Sequence, residues 1–417
     1  MKRLARMRDL VFKNDSKMLM WVFDGIGGLP HPKTGKTELE TAKIPEIDAF
    51  ARESSCGGLV PHGPGVTPGS GPGHLALFGY PLDEFDLPRG VLEVLGAEGA
   101  FQDGQWVGEI SLRSQDLAMR GNFASLEVRN GETVVSDRRA NQIATEESRR
   151  VCRELSQGLK AEGYEIFVLP GQQHRFALVI RGPGLAGGLT DGDPQKSGIA
   201  PKEVEATAPE ARKAAEVVNE LIAQATEILR DEEEAHTVLL RGIGCPPDIP
   251  TLEALYGIRC AAIATYPMYR GIARLLGMDI LDVGSLKHED EVKTLEKHFS
   301  EYDFFYLHIK ETDSLAHKGD FDGKVKVFES CDPLFRRALG LDFDVVALTG
   351  DHCTPSVLGD HSWHPIPTAL WSKRIIGGGV ESFDERQVMR GTLGKVDSRD
   401  LMPLALAEAG RFNKFGA

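Results

Sequence analysis

The chain alternates short, continuous apolar runs with amphipathic stretches, which is the pattern of buried parallel strands joined by helices. Apolar runs that end in polar residues occur at 18–23, 302–309 and 343–349. Helical periodicity predicts helices at about 40–54, 252–256, 266–276, 288–299 and 322–340. Because core strands lie near both ends of the chain, we predict an α/β domain with a doubly wound, mostly parallel sheet.

The middle of the chain has a different pattern. Two predicted hairpins, 122–129 with 132–137 and 165–170 with 175–181, stand beside helical stretches at 146–162 and 209–236. Hairpins with separate helices indicate an α+β unit of its own. We therefore predict an inserted α+β domain at 85–238 and a core made of 1–84 and 239–417, with residues 1–16 as a frayed extension.

Length and charge narrow the classes of function. A chain of 417 residues is too long for one ordinary core. Its net charge of 48 − 62 = −14 argues against generic nucleic-acid binding. Six scattered cysteines without a Cys-x-x-Cys pair, and no signal-peptide or membrane-spanning run, predict a cytoplasmic protein without a membrane partner. Oligomeric state is left open.

Metal-type ligands follow the apolar runs. Because the carboxyl ends of parallel strands meet at one edge of a sheet, we expect these side chains to converge. Each of these short groups of residues, taken alone, is compatible with a turn or a helix cap. Taken together they suit two divalent ions, for which Mn²⁺ is the first candidate and Zn²⁺, Co²⁺ and Mg²⁺ are left open. The predicted metal ligands are Asp24, Ser70, Asp313, His317, Asp351, His352 and His364.

Ser70 is the candidate nucleophile. It stands between Gly69 and Gly71, where small neighbours let a phosphoryl group approach, and a metal ion would activate its hydroxyl. An inert serine in a Gly/Pro turn is the alternative. Gly35-Lys36-Thr37 is not a phosphate-binding P-loop, since Pro30 occupies the position of the required first glycine.

Several motifs taken together resemble the archaeal-type, cofactor-independent phosphoglycerate mutase family of the alkaline phosphatase superfamily. They are Asp24-Gly-Ile-Gly, Thr67-Pro-Gly-Ser70, Arg120-Gly-Asn-Phe and Thr190-Asp-Gly-Asp-Pro, with the metal packets. The resemblance implies an alkaline-phosphatase-like core. One ion would take Asp313, His317 and His364, and the other Asp24, Ser70, Asp351 and His352, with Ser70 becoming phosphorylated.

The resemblance also implies a reaction, namely the interconversion of 3-phosphoglycerate and 2-phosphoglycerate without added bisphosphoglycerate. The inserted domain would exclude water from the phosphoserine. Asp191 or Asp193 would serve as general base and acid. The substrate-binding residues implied are His174, Arg175, Arg120, Arg138, Arg139 and Arg270.

Two rivals stay open at this point. A metal-dependent phosphatase or another phosphomutase would share the same metal packets. The second alternative is a catalytically inactive relative that binds a metal or a partner. The complete set of seven candidate ligands argues against this alternative. The chain also departs from relatives, which commonly carry Asp directly after the serine, where this chain has Gly71.

Overall fold

The computed structural model describes residues 2–81, 84–85 and 87–416. The chain divides into two compact units, a core unit of Met1–Phe85 with Ile249–Ala417, and an inserted unit of Asp86–Asp248. The predicted insertion ended at 238, inside a strand. That strand, Thr237–Gly244, pairs with strand Leu117–Arg129 of the inserted unit, so the unit continues to Asp248.

The elements of the described residues are as follows. The strands are β1 Met18–Phe23, β2 Ser55–Val60, β3 Ala100–Gln102, β4 Gln105–Gly108, β5 Leu117–Arg129, β6 Glu132–Asp137, β7 Glu165–Pro170, β8 Arg175–Arg181, β9 Thr237–Gly244, β10 Cys260–Ile263, β11 Asp279–Ile280, β12 Phe304–Ile309, β13 Val345–Thr349, β14 Ile366–Ser372 and β15 Gly394–Asp397. The helices are α1 Lys2–Leu10, α2 Glu38–Thr41, α3 Pro45–Glu53, α4 Ser70–Leu77, α5 Arg89–Gly96, α6 Thr145–Gly158, α7 Arg212–Ile228, α8 Leu252–Tyr256, α9 Pro267–Leu275, α10 His288–His298, α11 Glu311–Ala316, α12 Phe321–Ala338, α13 Glu385–Val388 and α14 Leu401–Glu408.

The core unit is built on a mixed sheet with the strand order β11-β10-β12-β1-β13-β14-β2-β15. Its centre is parallel, because β1 pairs in parallel with β12 on one side and β13 on the other. Strand β14 runs antiparallel to both of its neighbours. The predicted α/β class with a mostly parallel sheet is confirmed, and β12, β1 and β13 end at the same edge.

Aromatic packing fixes the central strand. Every residue of β1 is buried, as its unbroken apolar run predicts. Trp21 packs edge-on against Phe335 at 5.3 Å between ring centroids, and Phe23 meets Phe328 in the same way at 5.2 Å. Each such side chain contributes about 1.5–3 kcal/mol through burial. Helix α12 therefore anchors the strand that ends at Asp24.

The inserted unit contains a sheet with the order β4-β3-β7-β8-β5-β6, to which β9 adds by pairing with β5. The predicted hairpin β5–β6 turns at Asn130 and Gly131, with φ angles of 53° and 83°. Two successive residues in the left-handed region are what a tight hairpin turn requires, which explains the Asn-Gly sequence. The second predicted hairpin, β7–β8, is also present.

Two predictions about local structure are wrong. Residues 2–10 form α1 rather than a frayed extension, because Leu4 is buried and Arg3 donates a hydrogen bond to the carbonyl oxygen of Arg399. The helix predicted over 209–236 ends at Ile228 as α7. The chain then turns toward β5, where the His236 N–H donates to the Ala124 carbonyl oxygen. No helix among the described residues is long and apolar enough to cross a bilayer.

Candidate active site

Three adjacent strand ends bring the predicted carboxylates together. Asp24 follows β1, Asp313 lies in α11 after β12, and Asp351 and His352 follow β13. All four side chains are buried. The Nε2 atom of His352 lies 3.4 Å from Asp24 Oδ1 and 3.1 Å from Asp351 Oδ2. Side chains that are more than 300 residues apart in sequence thus meet at the carboxyl edge of the sheet.

Ser70 occupies the first turn of α4, and its Oγ lies 3.1 Å from His352 Nε2. Gly73 permits this approach, because a Cβ atom at that position would lie 2.5 Å from the carbonyl oxygen of Asp351. The helix N-terminus presents free N–H groups and a positive dipole end, both of which favour an anion. The serine hydroxyl therefore stands where a phosphoryl group would be stabilised.

Hydrogen bonds fix the tautomers of two histidines. The Thr354 hydroxyl donates to Asp313 Oδ1 at 2.8 Å, so it accepts from Nδ1–H of His352 at 3.0 Å. His317 donates Nδ1–H to the carbonyl oxygen of Gly359 at 2.9 Å. Nε2 is therefore the nitrogen of each ring that faces the carboxylates, and His317 Nε2 lies 3.3 Å from Asp313 Oδ1.

The third imidazole beside the carboxylates is that of His361, whereas the predicted ligand His364 lies outside this group. His361 donates Nδ1–H to the carbonyl oxygen of Pro68 at 2.9 Å, and its Nε2 lies 3.6 Å from Asp313 Oδ1. His364 instead places Nδ1 3.0 Å from Ser362 Oγ. Among the described residues, the ligand atoms that lie within 4.8 Å of one another form two groups: Asp313, His317 and His361, and Asp24, Asp313 and His352. Two predicted ligands, His364 and Asp351, belong to neither group, although Asp351 Oδ2 lies 3.1 Å from His352 Nε2.

A backbone contact explains the correction. The Ser362 N–H donates to the Cys353 carbonyl oxygen at 2.9 Å, which brings the loop after β13 back on itself. This places the His361 ring on His352, with stacked ring centroids 3.7 Å apart. The sequence shows two histidines three residues apart in a loop without periodicity, so spacing alone does not decide which one faces inward.

The donor set fits a divalent cation. Asp24 Oδ1 and Asp351 Oδ2 are buried and accept no hydrogen bond, although imidazole nitrogen lies beside both. Burial and Asp351 raise the pKa of Asp24, but Lys310 and His308 outweigh them and the pKa falls to about 2. Ionised carboxylates that are clustered in this way repel one another, and a cation bound between them and the imidazole nitrogens would offset that repulsion.

Two lysines that the sequence reading missed support this edge of the sheet. Lys310 Nζ lies 2.9 Å from Asp24 Oδ2 and also contacts Asp313. Lys324 is completely buried and donates hydrogen bonds to the carbonyl oxygens of Gly25, Gly27 and Thr354. Lys310 could have been noticed as the first polar residue after β12, whereas Lys324 lies in an ordinary amphipathic helix.

The inserted unit holds a cationic cluster on neighbouring strands. Arg120 lies in β5, Arg175 is the first residue of β8, which pairs with β5, and His174 directly precedes it. Arg120 Nε, His174 Nδ1 and Arg175 Nε are buried and lack a hydrogen-bond partner. Burial and the surrounding arginines lower the pKa of Arg120 to about 10 and that of His174 to about 4. Unpaired buried donors of this kind suit an anionic ligand.

The predicted base candidates have different surroundings. Buried Asp193 accepts two parallel hydrogen bonds from Arg138, at 2.8 and 2.6 Å, and one from the N–H of Gln195. Burial alone would raise the pKa of Asp193, but the hydrogen bonds from Arg138 and Gln195 have the larger effect, so the pKa is lowered overall. Asp191 is exposed, and its Oδ1 accepts one hydrogen bond from the N–H of Gly242 at 2.8 Å.

The remaining predicted residues are less involved with these clusters. Arg139 is exposed. Arg270 belongs to the core unit, in α9, and its buried Nε lacks a partner. Arg241, which the sequence reading missed, lies in β9 with its Nε 3.9 Å from Asp193 Oδ2. Arg241 in β9 pairs with Arg120 in β5. A sequence prediction that placed a strand at 237–244 would have put Arg241 beside the cationic cluster.

A doubly wound sheet that presents carboxylates, imidazoles and a serine at one edge defines a class of metal-dependent phosphoryl-transfer enzymes. A family model described as 2,3-bisphosphoglycerate-independent phosphoglycerate mutase matches residues 51–234. A protein of Aquifex aeolicus named "Probable 2,3-bisphosphoglycerate-independent phosphoglycerate mutase" is 45% identical over 414 residues, covering 98% of this chain and 99% of that protein. The chain belongs to the 2,3-bisphosphoglycerate-independent phosphoglycerate mutase family, whose members are isomerases.

Solved structures agree with this membership. The cofactor-independent phosphoglycerate mutase of Thermoplasma acidophilum is 27% identical with a TM-score of 0.70, covering 95% of this chain and all of that one. The PH0037 protein of Pyrococcus horikoshii is 25% identical with a TM-score of 0.81, covering 97% of this chain and all of that one. The family resemblance read from the motifs is confirmed.

Proposed function

We propose that this protein interconverts 3-phosphoglycerate and 2-phosphoglycerate through a phosphoserine at Ser70. The observation that carries the proposal is the convergence of Ser70 Oγ, His352 Nε2 and the unpaired carboxylate oxygen of Asp351 at the edge of the core sheet. The names of the family and of the relatives supply the substrate. No bisphosphoglycerate is needed, because the phosphoryl group returns to the same substrate molecule.

The protein's ligands would hold two divalent ions, of which Mn²⁺ suits the mixture of imidazole and carboxylate best. Asp313, His317 and His361 would hold one ion, and Asp24, Ser70, Asp351 and His352 the other. Bound there, the ions would lower the pKa of the serine hydroxyl and neutralise charge on the phosphoryl oxygens. In His317, His352 and His361 the Nδ1 atom contacts another protein oxygen, so Nε2 is the nitrogen that would bind the ion.

The cationic cluster of the inserted unit would bind the carboxylate of the substrate. Guanidinium groups can hold a carboxylate with two parallel hydrogen bonds, and Arg120 and Arg175 have buried donors to spare. His174 would contribute as a neutral hydrogen-bonding group, since its lowered pKa keeps the ring uncharged at neutral pH. Arg138, Arg139 and Arg270 remain proposed substrate contacts.

The two aspartates would divide their roles. Asp193 is committed to Arg138 through two hydrogen bonds and has a lowered pKa, which makes it a poor proton acceptor. It would hold the Arg138 guanidinium in place. Asp191 keeps a carboxylate oxygen free and would pass the proton between the two glycerate hydroxyls.

The test is conversion of 3-phosphoglycerate to 2-phosphoglycerate by purified protein with Mn²⁺ and without bisphosphoglycerate, followed together with free phosphate. We expect 2-phosphoglycerate that disappears on addition of EDTA, with little free phosphate. Free phosphate without isomerisation would replace the mutase with a phosphatase on the same site. If EDTA reduces the formation of neither 2-phosphoglycerate nor free phosphate, the proposed role of the metal ions is refuted.

The covalent intermediate has its own test. Ser70→Ala is expected to abolish both isomerisation and phosphorylation of the protein by substrate, detected by mass spectrometry of the intact chain. Ser330→Ala, which alters an exposed serine of α12, is the matched control and should keep both. Turnover by Ser70→Ala would refute the phosphoserine.

The six free cysteines support the proposal that the enzyme works in the cytoplasm.

A further inference from the structure

Lys310 contacts one carboxylate from each of the two proposed ion sites of the core unit. It lies between the last residue of β12 and the first residue of α11. Its Nζ donates hydrogen bonds to Asp24 Oδ2 at 2.9 Å, to Asp313 Oδ2 at 2.5 Å and to the hydroxyl oxygen of Tyr269 at 3.1 Å. An ammonium group has three protons, so these contacts use all of them. Three hydrogen bonds therefore fix the end of the lysine side chain.

Each of the two aspartates divides its oxygens between the lysine and the histidines. Asp24 Oδ2 accepts from Lys310, whereas Asp24 Oδ1 lies 3.4 Å from His352 Nε2. Asp313 Oδ2 accepts from the same Nζ, whereas Asp313 Oδ1 lies 3.3 Å from His317 Nε2. Lys310 thus determines the rotation of both carboxylates, and in each of them Oδ1 is the oxygen that faces imidazole nitrogen.

Two further neighbours of these oxygens leave the division intact. The Thr354 hydroxyl donates to Asp313 Oδ1 at 2.8 Å, and a carboxylate oxygen has a second lone pair for another contact. His308 Nε2 lies 3.3 Å from Asp24 Oδ2, which is the oxygen that Lys310 already holds. Each aspartate therefore keeps one oxygen, Oδ1, for an ion.

We propose that Lys310 is a positioning residue that sets which divalent ions the site accepts, because it leaves Asp24 and Asp313 one oxygen each for an ion. The inference rests on the proposed metal site. Ca²⁺ takes about six to eight oxygen ligands and often both oxygens of one carboxylate. A site that offers single carboxylate oxygens beside imidazole nitrogens therefore favours Mn²⁺ over Ca²⁺ through its ligand types and geometry.

The positive charge of Lys310 has a second effect, which a comparison of two ions separates from the first. The charge repels Mn²⁺ and Ca²⁺ alike, since both ions carry two charges. Removing it strengthens the binding of both ions by a similar factor and leaves the ratio of their affinities unchanged. Release of the two Oδ2 atoms, in contrast, favours Ca²⁺ alone. The ratio of the affinities therefore reports the orientation of the carboxylates rather than the charge.

Lys310→Met tests the proposal because it keeps the length of the side chain and removes the ammonium group. Titration calorimetry of metal-stripped protein, with Mn²⁺ and separately with Ca²⁺, gives the ratio of the two affinities. We expect the preference for Mn²⁺ to fall by about 10-fold or more, which is the scale on which groups that orient metal ligands act. Lys326→Met, which removes an exposed lysine of α12, is the matched control and should keep the ratio.

The unaltered protein offers a second measurement, which does not depend on the folding of a variant. In the infrared difference spectrum on addition of Mn²⁺, the separation of the two carboxylate stretching bands distinguishes binding through one oxygen from binding through two. The third carboxylate, Asp351, also has one oxygen occupied, since its Oδ1 accepts from the N–H of Gly25 at 3.1 Å. We expect the bands of one-oxygen binding, and the bands of two-oxygen binding would overturn the proposal.

The outcomes separate this proposal from those on which it rests. If Lys310→Met changes both affinities by the same factor, the lysine acts through its charge alone and the proposal is overturned. If the unaltered protein binds no Mn²⁺, the proposed metal site fails and the role of Lys310 fails with it. If the protein binds Mn²⁺ but releases free phosphate in place of 2-phosphoglycerate, the mutase assignment fails, while the ratio of affinities still decides the role of Lys310.

Discussion

Thr354 provides the sharpest test of the metal site, because it is not a ligand yet touches two of them. Its buried hydroxyl donates to Asp313 Oδ1 at 2.8 Å and accepts from His352 Nδ1 at 3.0 Å. Thr354→Val removes both hydrogen bonds and keeps the branched shape. The Asp313 oxygen then loses a partner, and the tautomer of His352 is no longer fixed.

The size of the effect follows from these two contacts. A hydrogen bond to a charged group contributes about 1.5–3 kcal/mol, and loss of a group that orients a metal ligand typically costs about 10–100-fold in metal affinity. At about 1.4 kcal/mol for each factor of ten, the two estimates coincide. We therefore expect Thr354→Val to bind Mn²⁺ about 10–100-fold more weakly.

The assay is titration calorimetry of metal-stripped protein with Mn²⁺. Thr354→Ser keeps the hydroxyl and should bind Mn²⁺ as the unaltered protein does. Thr368→Val is the control for the loss of a buried threonine hydroxyl elsewhere, since Thr368 hydrogen-bonds to Thr349 at 2.7 Å in the core sheet. Equal Mn²⁺ affinities for Thr354→Val and Thr368→Val would refute the reasoning.

Three further predictions concern individual side chains. Calorimetry should show much weaker Mn²⁺ binding for His361→Ala and nearly unchanged binding for His364→Ala, and the reverse result would restore the ligand set read from the sequence. Lys324→Met should lower the free energy of unfolding in urea by about 1–3 kcal/mol, because the buried carbonyl oxygens of Gly25, Gly27 and Thr354 lose their donor; a change near zero would contradict this. The pKa of His174 falls from 6.5 to about 4, so stability should decline as the pH drops through that range, and His174→Gln should reduce the slope.

The sequence was most informative where burial is complete. An unbroken apolar run of six residues such as Met18–Phe23 is short for a helix and indicates a strand covered on both faces, and its last residue locates the start of the site. Three such runs were enough to predict that Asp24, Asp313 and Asp351 converge. The turn at Asn130-Gly131 was equally readable, because its left-handed backbone selects those two residues.

The sequence was least informative where a loop folds back through contacts that leave no periodic signal. The choice of His361 over His364 depends on the hydrogen bond between Ser362 and Cys353. The commitment of Asp193 to Arg138 depends on two segments 55 residues apart. Neither pairing has a local cause, so spacing could suggest the residue types but not the roles.

Charge shows why a strongly acidic chain can act on an acidic substrate. The net charge of −14 is a sum over the whole surface, whereas binding responds to the groups within about one Debye length, roughly 10 Å. In the core unit the clustered carboxylates would bind the metal ions, and Lys310 already contacts both Asp24 and Asp313. In the inserted unit, the buried Nε atoms of Arg120 and Arg175 lack a hydrogen-bond partner, and Glu93 lies 3.5 Å from Arg120 Nη1. The negative net charge of the whole chain is therefore compatible with local cationic groups that bind a small phosphorylated acid.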